Sequence, residues 1–476
     1  VRRLARIASA VALALGAGGA AASDVETLVD HGTANRIHVA ILGDGYTSTQ
    51  QAQLSDDARG LAGTLLGTPP FDRYAALFTI RLVHLMSAQQ GAGTGSPANT
   101  ALHSYFGCYG IDRLLCTDTG AAFVAASDAY PDYDAVIVLV NDTRYGGAGG
   151  NVTTVSRNSA SAEILLHELG HSFGGLADEY TDPYPGYPPC SQTTDCSEPN
   201  VTLRTTRAQI PWASWIEPDV PIPTPQGAGF WAVGLFEGAR FLTTGVYRPV
   251  DAACRMHQLG QDYCPVCTEA LVREIWNAVT PLEATAPAPG AVAVSACDEA
   301  DFAAYAVPVA TPLSVTWTVD GAPAGCTGQQ LAFPPGALTA GTHAIEARVS
   351  DGTALVRNDP RGLLAEAARW TVQVSACASA VPAPAAPTCS REELPAGGGA
   401  SPTAGRAPGT GSAATDGTGG AASAAAAGGG AGASSSCGTG GPGGPGGWAA
   451  LAGAAVLAAW RRPRRVSPRT RTAAAH

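Results

Sequence analysis

Five consecutive residues, His167-Glu168-Leu169-Gly170-His171, carry the residue types from which a metal-dependent hydrolytic centre is built. On an α-helix, side chains four apart share a face, so His167 and His171 can aim two imidazoles at one ion. Glu168, one step round, fronts the same cavity and can take a proton from a water acidified by the metal. Two imidazoles with a carboxylate base suit Zn2+ and the hydrolysis of a peptide bond. The plainer explanation is two surface histidines on an amphipathic helix. It fits poorly with Ile164-Leu165-Leu166 before the motif and Leu169 and Phe173 around its end, which make the helix largely buried. Unpaired imidazoles and a glutamate in such a helix would be costly without a ligand.

A catalytic zinc takes three protein ligands. The chain continues as Gly174-Gly175-Leu176-Ala177-Asp178-Glu179-Tyr180. In the metzincin pattern HExxHxxGxxH, a glycine turns the chain sharply and a third ligand returns three residues later. Gly174 resembles that glycine, but the ligand position falls on Ala177 and the first carboxylate is Asp178. Asp178 is therefore the expected third ligand, with Glu179 second and His257 third; a carboxylate merely marking the helix exit is the alternative. Met256, one of 2 methionines in the chain, follows the helix as a Met-turn residue would. Ordinary core packing is the alternative. Tyr180 and His257 are candidates for steadying an oxyanion, each as a lone residue.

The elements that position these residues are legible as strands followed by helices. Ile37 to Leu42 is an aliphatic strand closed by Gly43-Asp44-Gly45. Thr47 to Gln51 then offers a capping box ahead of Leu54, Ala58, Leu61, Ala62 and Leu65 at helical spacing, and Pro69-Pro70 ends that helix. Phe78 to Leu85 is a second strand. Ala135 to Val140 is apolar throughout, as in a strand buried on both faces. Beyond the glycines at 146–150, Val152 to Val155 reads as a short strand, and as the edge along which an extended substrate could align. The metal-binding helix starts near Asn158 or Ser159, and a further helix starts at Pro265. Residues 23–283 thus form an expected α/β (α+β) catalytic domain.

From 284 to 376 the pattern changes to short alternating strands with turn signals, including Leu313 to Val319, Asp320-Gly321, Thr342 to Val349 and Trp370 to Val374. That pattern predicts an all-β sandwich of immunoglobulin type, with Cys297 and Cys326 as a possible staple. Residues 377–447 are rich in Gly, Ala, Ser and Pro and read as a disordered linker. At the N-terminus, Arg2, Arg3 and Arg6 precede an apolar stretch and Ala20-Ala21-Ala22, which predicts a signal peptide over 1–22. Trp448 to Trp460 is a short apolar segment followed by Arg461, Arg462, Arg464 and Arg465, so 448–476 reads as a tethering tail. A plain single-pass anchor is the alternative.

With 28 basic against 39 acidic residues and a net charge of −11, the chain is a poor partner for nucleic acid. Its 12 cysteines fall in short-range groups, as expected of disulfides in an exported chain. Cys264-Pro265-Val266-Cys267 could hold zinc or act in redox chemistry, but no second CxxC accompanies it, and a disulfide is the preferred reading. The catalytic segment has an odd number of cysteines, so one thiol there is free or pairs outside it.

Several of these motifs, taken in order, resemble the IgA-peptidase family of zinc metallopeptidases. They are Gly43-Asp44-Gly45-Tyr46, Tyr145-Gly146-Gly147, the run His167 to Tyr180, Cys254-Arg255-Met256, and Cys264 to Cys267. The resemblance implies a metzincin-like domain, zinc at His167 and His171, and Glu168 as base. The family's founding activity cuts immunoglobulin A, and nothing in the sequence assigns that substrate here. Cys437, its glycine-rich surroundings and the arginine-capped tail resemble a Myxo-CTERM sorting region, which implies tethering at the cell surface.

The sequence therefore leads to an exported, surface-tethered zinc endopeptidase acting on extracellular protein or peptide. Two rivals are an adhesion protein whose peptidase domain is degenerate, and a zinc hydrolase acting on a bond other than a peptide.

Overall fold

Ile37–Asp44 is buried along its whole length, because strands pair with it on both edges and helices cover both faces. In the computed structural model, the described residues are 24–184, 187–227, 232–378 and 386–390. Six strands form the first sheet in the order Asp24–Val29, Phe78–His84, Ile37–Asp44, Ala135–Val140, Thr153–Ser156 and Gly147–Ala148. The four inner strands run parallel and the two outer ones antiparallel to their neighbours. Side chains alternate across this sheet. Ile37, Val39 and Ile41 face a core completed by α1 (Gln51–Gly67), while Ala40, Leu42, Val136 and Val138 face a second core completed by α2 (Thr119–Ala129).

The expected buried face of α1 is observed at Leu54, Ala58, Leu61, Ala62 and Leu65, and the capping box at Thr47 and Gln50 is formed. Helix α3 (Ser161–Ser172) lies on the α1 side through Ile164, Leu165 and Leu169. Helix α4 (Pro265–Ala278) packs on the same core through Leu271, Ile275 and Trp276, with proline in its first turn where no N–H is needed.

One strand expectation is corrected. Thr153–Ser156 is no edge: it is fully buried between Ala135–Val140 and Gly147–Ala148, so the glycine stretch itself closes the sheet. The expected alignment of substrate along Val152 to Val155 therefore has no open edge to use.

Beyond α4 two further sheets share one core. The first contains Leu282–Ala286, Ala300–Ala306, Gln330–Phe333 and Thr388–Ser390. The second contains Gly290–Ser295, Ala365–Ser375, Gly341–Ser350, Ser314–Val319 and Ala322–Thr327. Phe302, Leu331 and Phe333 from one face Trp317, Ile345 and Trp370 from the other, with the Trp317 and Trp370 rings stacked at 5.8 Å. The whole is a mixed α/β chain with several sheets.

The disulfides differ from the sequence expectation. Cys108–Cys116 and Cys190–Cys196 close as local pairs, but Cys297 joins Cys377 and Cys326 joins Cys389. Cys297 and Cys326 do not bond to each other. The last two bridges bind residues at the start of the expected linker to the sheets, where Thr388–Ser390 pairs with Gln330–Phe333. Cys254, Cys264 and Cys267 form no disulfide, so the expected Cys264–Cys267 bridge is absent and three thiols stay free.

The two parts of the chain interlock. The loop after Gly341–Ser350 packs Leu355, Val356, Leu363 and Leu364 against the core of the first part. Asp351, buried at its start, accepts hydrogen bonds from Arg73, Tyr74 and Trp276. Among the described residues no helix is long and apolar enough to cross a membrane. The expected signal segment 1–22 and tail 448–476 lie outside the described residues, as does most of the linker.

Candidate active site

Helix α3 presents His167 and His171 one turn apart, and their Nε2 atoms lie 3.2 Å from each other. Asp178 Oδ1 lies 3.2 Å from His167 Nε2 and 3.3 Å from His171 Nε2. Four ligands about 2.0–2.1 Å from a zinc at tetrahedral angles stand about 3.3 Å apart. Each imidazole is fixed from behind. His167 Nδ1 is 3.0 Å from the Arg255 carbonyl, and His171 Nδ1 is 2.8 Å from the Leu176 carbonyl. A carbonyl can only accept, so Nδ1 carries the proton in both rings and both Nε2 lone pairs point inward with the Asp178 carboxylate. That donor set fits a divalent cation.

The electrostatics agree with the geometry. Burial disfavours the charged form of His171, yet the Asp178 and Glu168 carboxylates lift its pKa to about 9. Burial works against the Asp178 carboxylate too, but His171 and His167 outweigh it and hold Asp178 below the ordinary carboxylate range. The field in the site thus favours a positive charge. Glu168 is 8 % exposed, and burial raises its pKa against the opposing pull of His167 and His171.

The return of Asp178 follows from the turn after α3. Gly175 takes the left-handed conformation at φ +62°, and the Leu176 N–H donates to the Gly170 carbonyl at 2.9 Å. The following segment is held from several sides. Asn200 brackets the Ala177 backbone, the Arg240 N–H donates to the Asp178 carbonyl, and the Glu179 N–H donates to the Met256 carbonyl. In extended chain, successive side chains point to opposite sides. Asp178 and Tyr180 face the imidazoles, Tyr180 stacking on the His167 ring at 5.8 Å. Ala177 and Glu179 face away: Ala177 packs with Val201, Ala239 and Val246, and Glu179 points toward Cys254, Cys264 and Cys267.

Of the three ligand candidates, the structure brings Asp178 to the imidazoles. Glu179 belongs to a different group, and His257 Nδ1 is bound to the Glu179 carbonyl at 2.7 Å. Met256 lies fully buried under α3, where a Cβ on Gly170 would come 2.5 Å from its sulfur.

The cleft in front of Glu168 is lined by Arg113, Tyr145, Gly147, His167, Glu168 and Tyr180. Its glycines have a steric cause. A Cβ on Gly147 would stand 2.4 Å from the Ile164 side chain, and one on Gly149 would stand 2.7 Å from Glu168 Oε2. Arg113 carries no signal in the sequence, since it lies in an irregular loop inside the Cys108–Cys116 bridge. Its Nη2 is buried with no hydrogen-bond partner.

Residues 26–230 match the family model for IgA Peptidase M64. This peptidase segment belongs to that family. The match takes in the sheet, the glycine edge, α3 and the Asp178 loop, and it ends before Met256 and the three free cysteines. No curated protein matches the chain. M64 peptidases are metallopeptidases, which suggests a metal and a protein or peptide substrate for this segment, and the described residues include groups that could hold a metal ion.

Proposed function

We propose that this M64 peptidase is a zinc-dependent endopeptidase in which His167, His171 and Asp178 hold the metal and Glu168 is the general base. The observation that carries the reading is the convergence of two Nε2 lone pairs and one carboxylate oxygen at 3.2–3.3 Å, with both Nδ1 atoms engaged behind them. Zinc bound there would polarise the scissile carbonyl and acidify a water. Glu168, in the wall of the cleft, would take a proton from the attacking water and return it to the departing amide nitrogen. Burial helps by making its carboxyl a better proton acceptor. Arg113 has a buried donor to spare for a substrate carbonyl, and Tyr180, stacked on His167, stands beside the same cleft.

The glycine turn and the methionine beneath α3 support a metzincin-like arrangement, with the third ligand a carboxylate one position later than in that pattern. Two sheets packed on one core, with Trp317 and Trp370 stacked in it, support an immunoglobulin-like second domain. The four disulfides among the described residues favour an exported protein. Tethering through the tail is part of the same proposal.

Purified full chain should contain zinc and cleave casein. Glu168→Ala should keep its metal and lose roughly 10²–10⁴-fold in kcat. A Glu168→Ala protein that cut casein as fast as wild type would falsify the mechanism. N-terminal sequencing of the secreted protein should begin near residue 23; an intact N-terminus would remove the export reading.

A further inference from the structure

On the far side of the Asp178 segment, Glu179, Cys254, Cys264 and Cys267 bring one carboxylate oxygen and three sulfurs within 4.8 Å of one another, all four residues buried. We propose that these four residues form a second metal site, a structural Cys3Glu centre for zinc that locks the third-ligand loop in place.

The spacing is that of ligands around one ion. Cys254 Sγ and Cys267 Sγ are 3.6 Å apart, and Cys267 Sγ is 3.4 Å from Glu179 Oε1. Tetrahedral zinc with sulfur at about 2.3 Å and oxygen at about 2.0 Å sets S–S and S–O edges near 3.8 and 3.5 Å. A disulfide would need its sulfurs about 2.05 Å apart. Among the described residues the other eight cysteines pair in four bridges, whereas these three do not. Four ligands with no position left open suit a structural centre, and three thiolates suit a borderline-soft ion over magnesium or calcium.

Glu179 supplies a second, independent observation. Its side chain is fully buried, Oε1 accepts from Asn200 at 3.0 Å, and Oε2 has no hydrogen-bond partner. Oε1 also lies 3.4 Å from Cys267 Sγ, so it is the oxygen that faces the thiols, and a buried carboxylate with its other oxygen unpartnered calls for a cation.

The site would tie three segments together. Glu179 follows Asp178 directly. Cys254 precedes Arg255, whose carbonyl holds His167, and Met256, which lies under α3. Cys264 caps α4, and Cys267 sits in its first turn. The second ion therefore acts as a positioning element for the first, without contact with substrate.

Full-length protein should bind two equivalents of zinc. The His167→Ala/His171→Ala variant should keep one, and Cys264→Ser/Cys267→Ser should lose the other. X-ray absorption at the zinc edge of the His167→Ala/His171→Ala variant should show sulfur neighbours at about 2.3 Å. The same measurement on wild type, which needs no substitution, should show sulfur mixed with nitrogen and oxygen. In the cysteine variant the affinity of the remaining site should fall about 10–100-fold, as when an outer support of a metal ligand is removed. A single equivalent of zinc in wild type with only nitrogen and oxygen neighbours would overturn the proposal. So would peptide mapping of unreduced protein that found a disulfide among Cys254, Cys264 and Cys267. Loss of the zinc that has nitrogen and oxygen ligands alone, with the sulfur shell intact, would strike at the active-site reading and leave this one standing.

Discussion

Asp178 and Glu179 are neighbours in the chain and serve opposite sides of one extended segment. The Asp178 carboxylate sits between the two imidazoles at 3.2 and 3.3 Å, while Glu179 turns to the three free thiols. Asp178→Ala should therefore release the active-site metal and reduce casein cleavage by at least about 10²-fold. His257→Ala should keep the metal and stay within a few-fold of wild type, because that ring bonds only to a backbone carbonyl beside the site. Metal analysis of the two variants decides it: full occupancy in Asp178→Ala would place the third ligand elsewhere.

The glycine edge makes a second prediction. A Cβ on Gly149 would stand 2.7 Å from Glu168 Oε2 and 3.0 Å from both the Glu168 carbonyl and His171 Cβ. Gly149→Ala should displace the base without removing the ligands. Its kcat should drop by about tenfold or more, since small misplacements of a reacting group are costly. Bound metal should remain unchanged. Equal kcat in variant and wild type would show that the edge can move aside freely.

Asp351 couples the two parts of the chain. It is buried and accepts from Arg73 at 2.7 Å, Tyr74 at 2.7 Å and the Trp276 indole at 3.1 Å. Asp351→Ala would strand all three donors and should cost about 3 kcal/mol, the lower end for breaking a buried pair because Arg73 keeps some access to water. Urea unfolding followed by tryptophan fluorescence should show one transition at lower midpoint. A chain ended at residue 283 should be less stable still, since it lacks Leu355, Val356, Leu363 and Leu364 as well.

A pH effect is expected far from the metal sites. The Asp320 hydrogen bond, against a smaller opposing effect of burial, raises the His343 pKa above 6.5. The Ala344 N–H and then His343 lower that of Asp320 below 3.8. The His343 contribution is fully present below pH about 6.5 and is lost as pH rises through its raised folded value. The Asp320 contribution is present above about pH 3.9 and is lost as pH falls through its lowered folded value. Proton NMR should find His343 titrating above its unfolded value in wild type and returning toward it in Asp320→Asn. An unchanged midpoint would mean that the pair does not form in solution.

The residue types of the candidate active site were legible because they are local. HELGH fixes two imidazoles and a carboxylate on one helix through the period of the helix alone, and Ala135–Val140 announced a strand buried on both faces by having no polar residue. The offset of the candidate third ligand was visible as well, since Ala177 cannot bind a metal. The reason for the offset was not visible. It lies in hydrogen bonds that the extended segment makes with Asn200, Arg240, Met256 and His257, 23 to 78 residues away, which set its facing.

Cysteine pairing departs from the sequence expectation for the same reason. Spacing along the chain suggested Cys297 with Cys326 and Cys264 with Cys267, but pairing depends on which strands become neighbours, and sheet order brought Cys377 and Cys389 to the first two. Thr153–Ser156 looked like an edge because a two-residue glycine strand leaves almost no pattern in a sequence. By itself, then, the sequence determined the residue types of the active site and the elements that carry them. Tertiary structure decided which way the Asp178–Glu179 segment faces, which sulfurs meet and which loop seals the two parts together, because each is a contact between segments far apart in the chain, and local periodicity says nothing about such contacts.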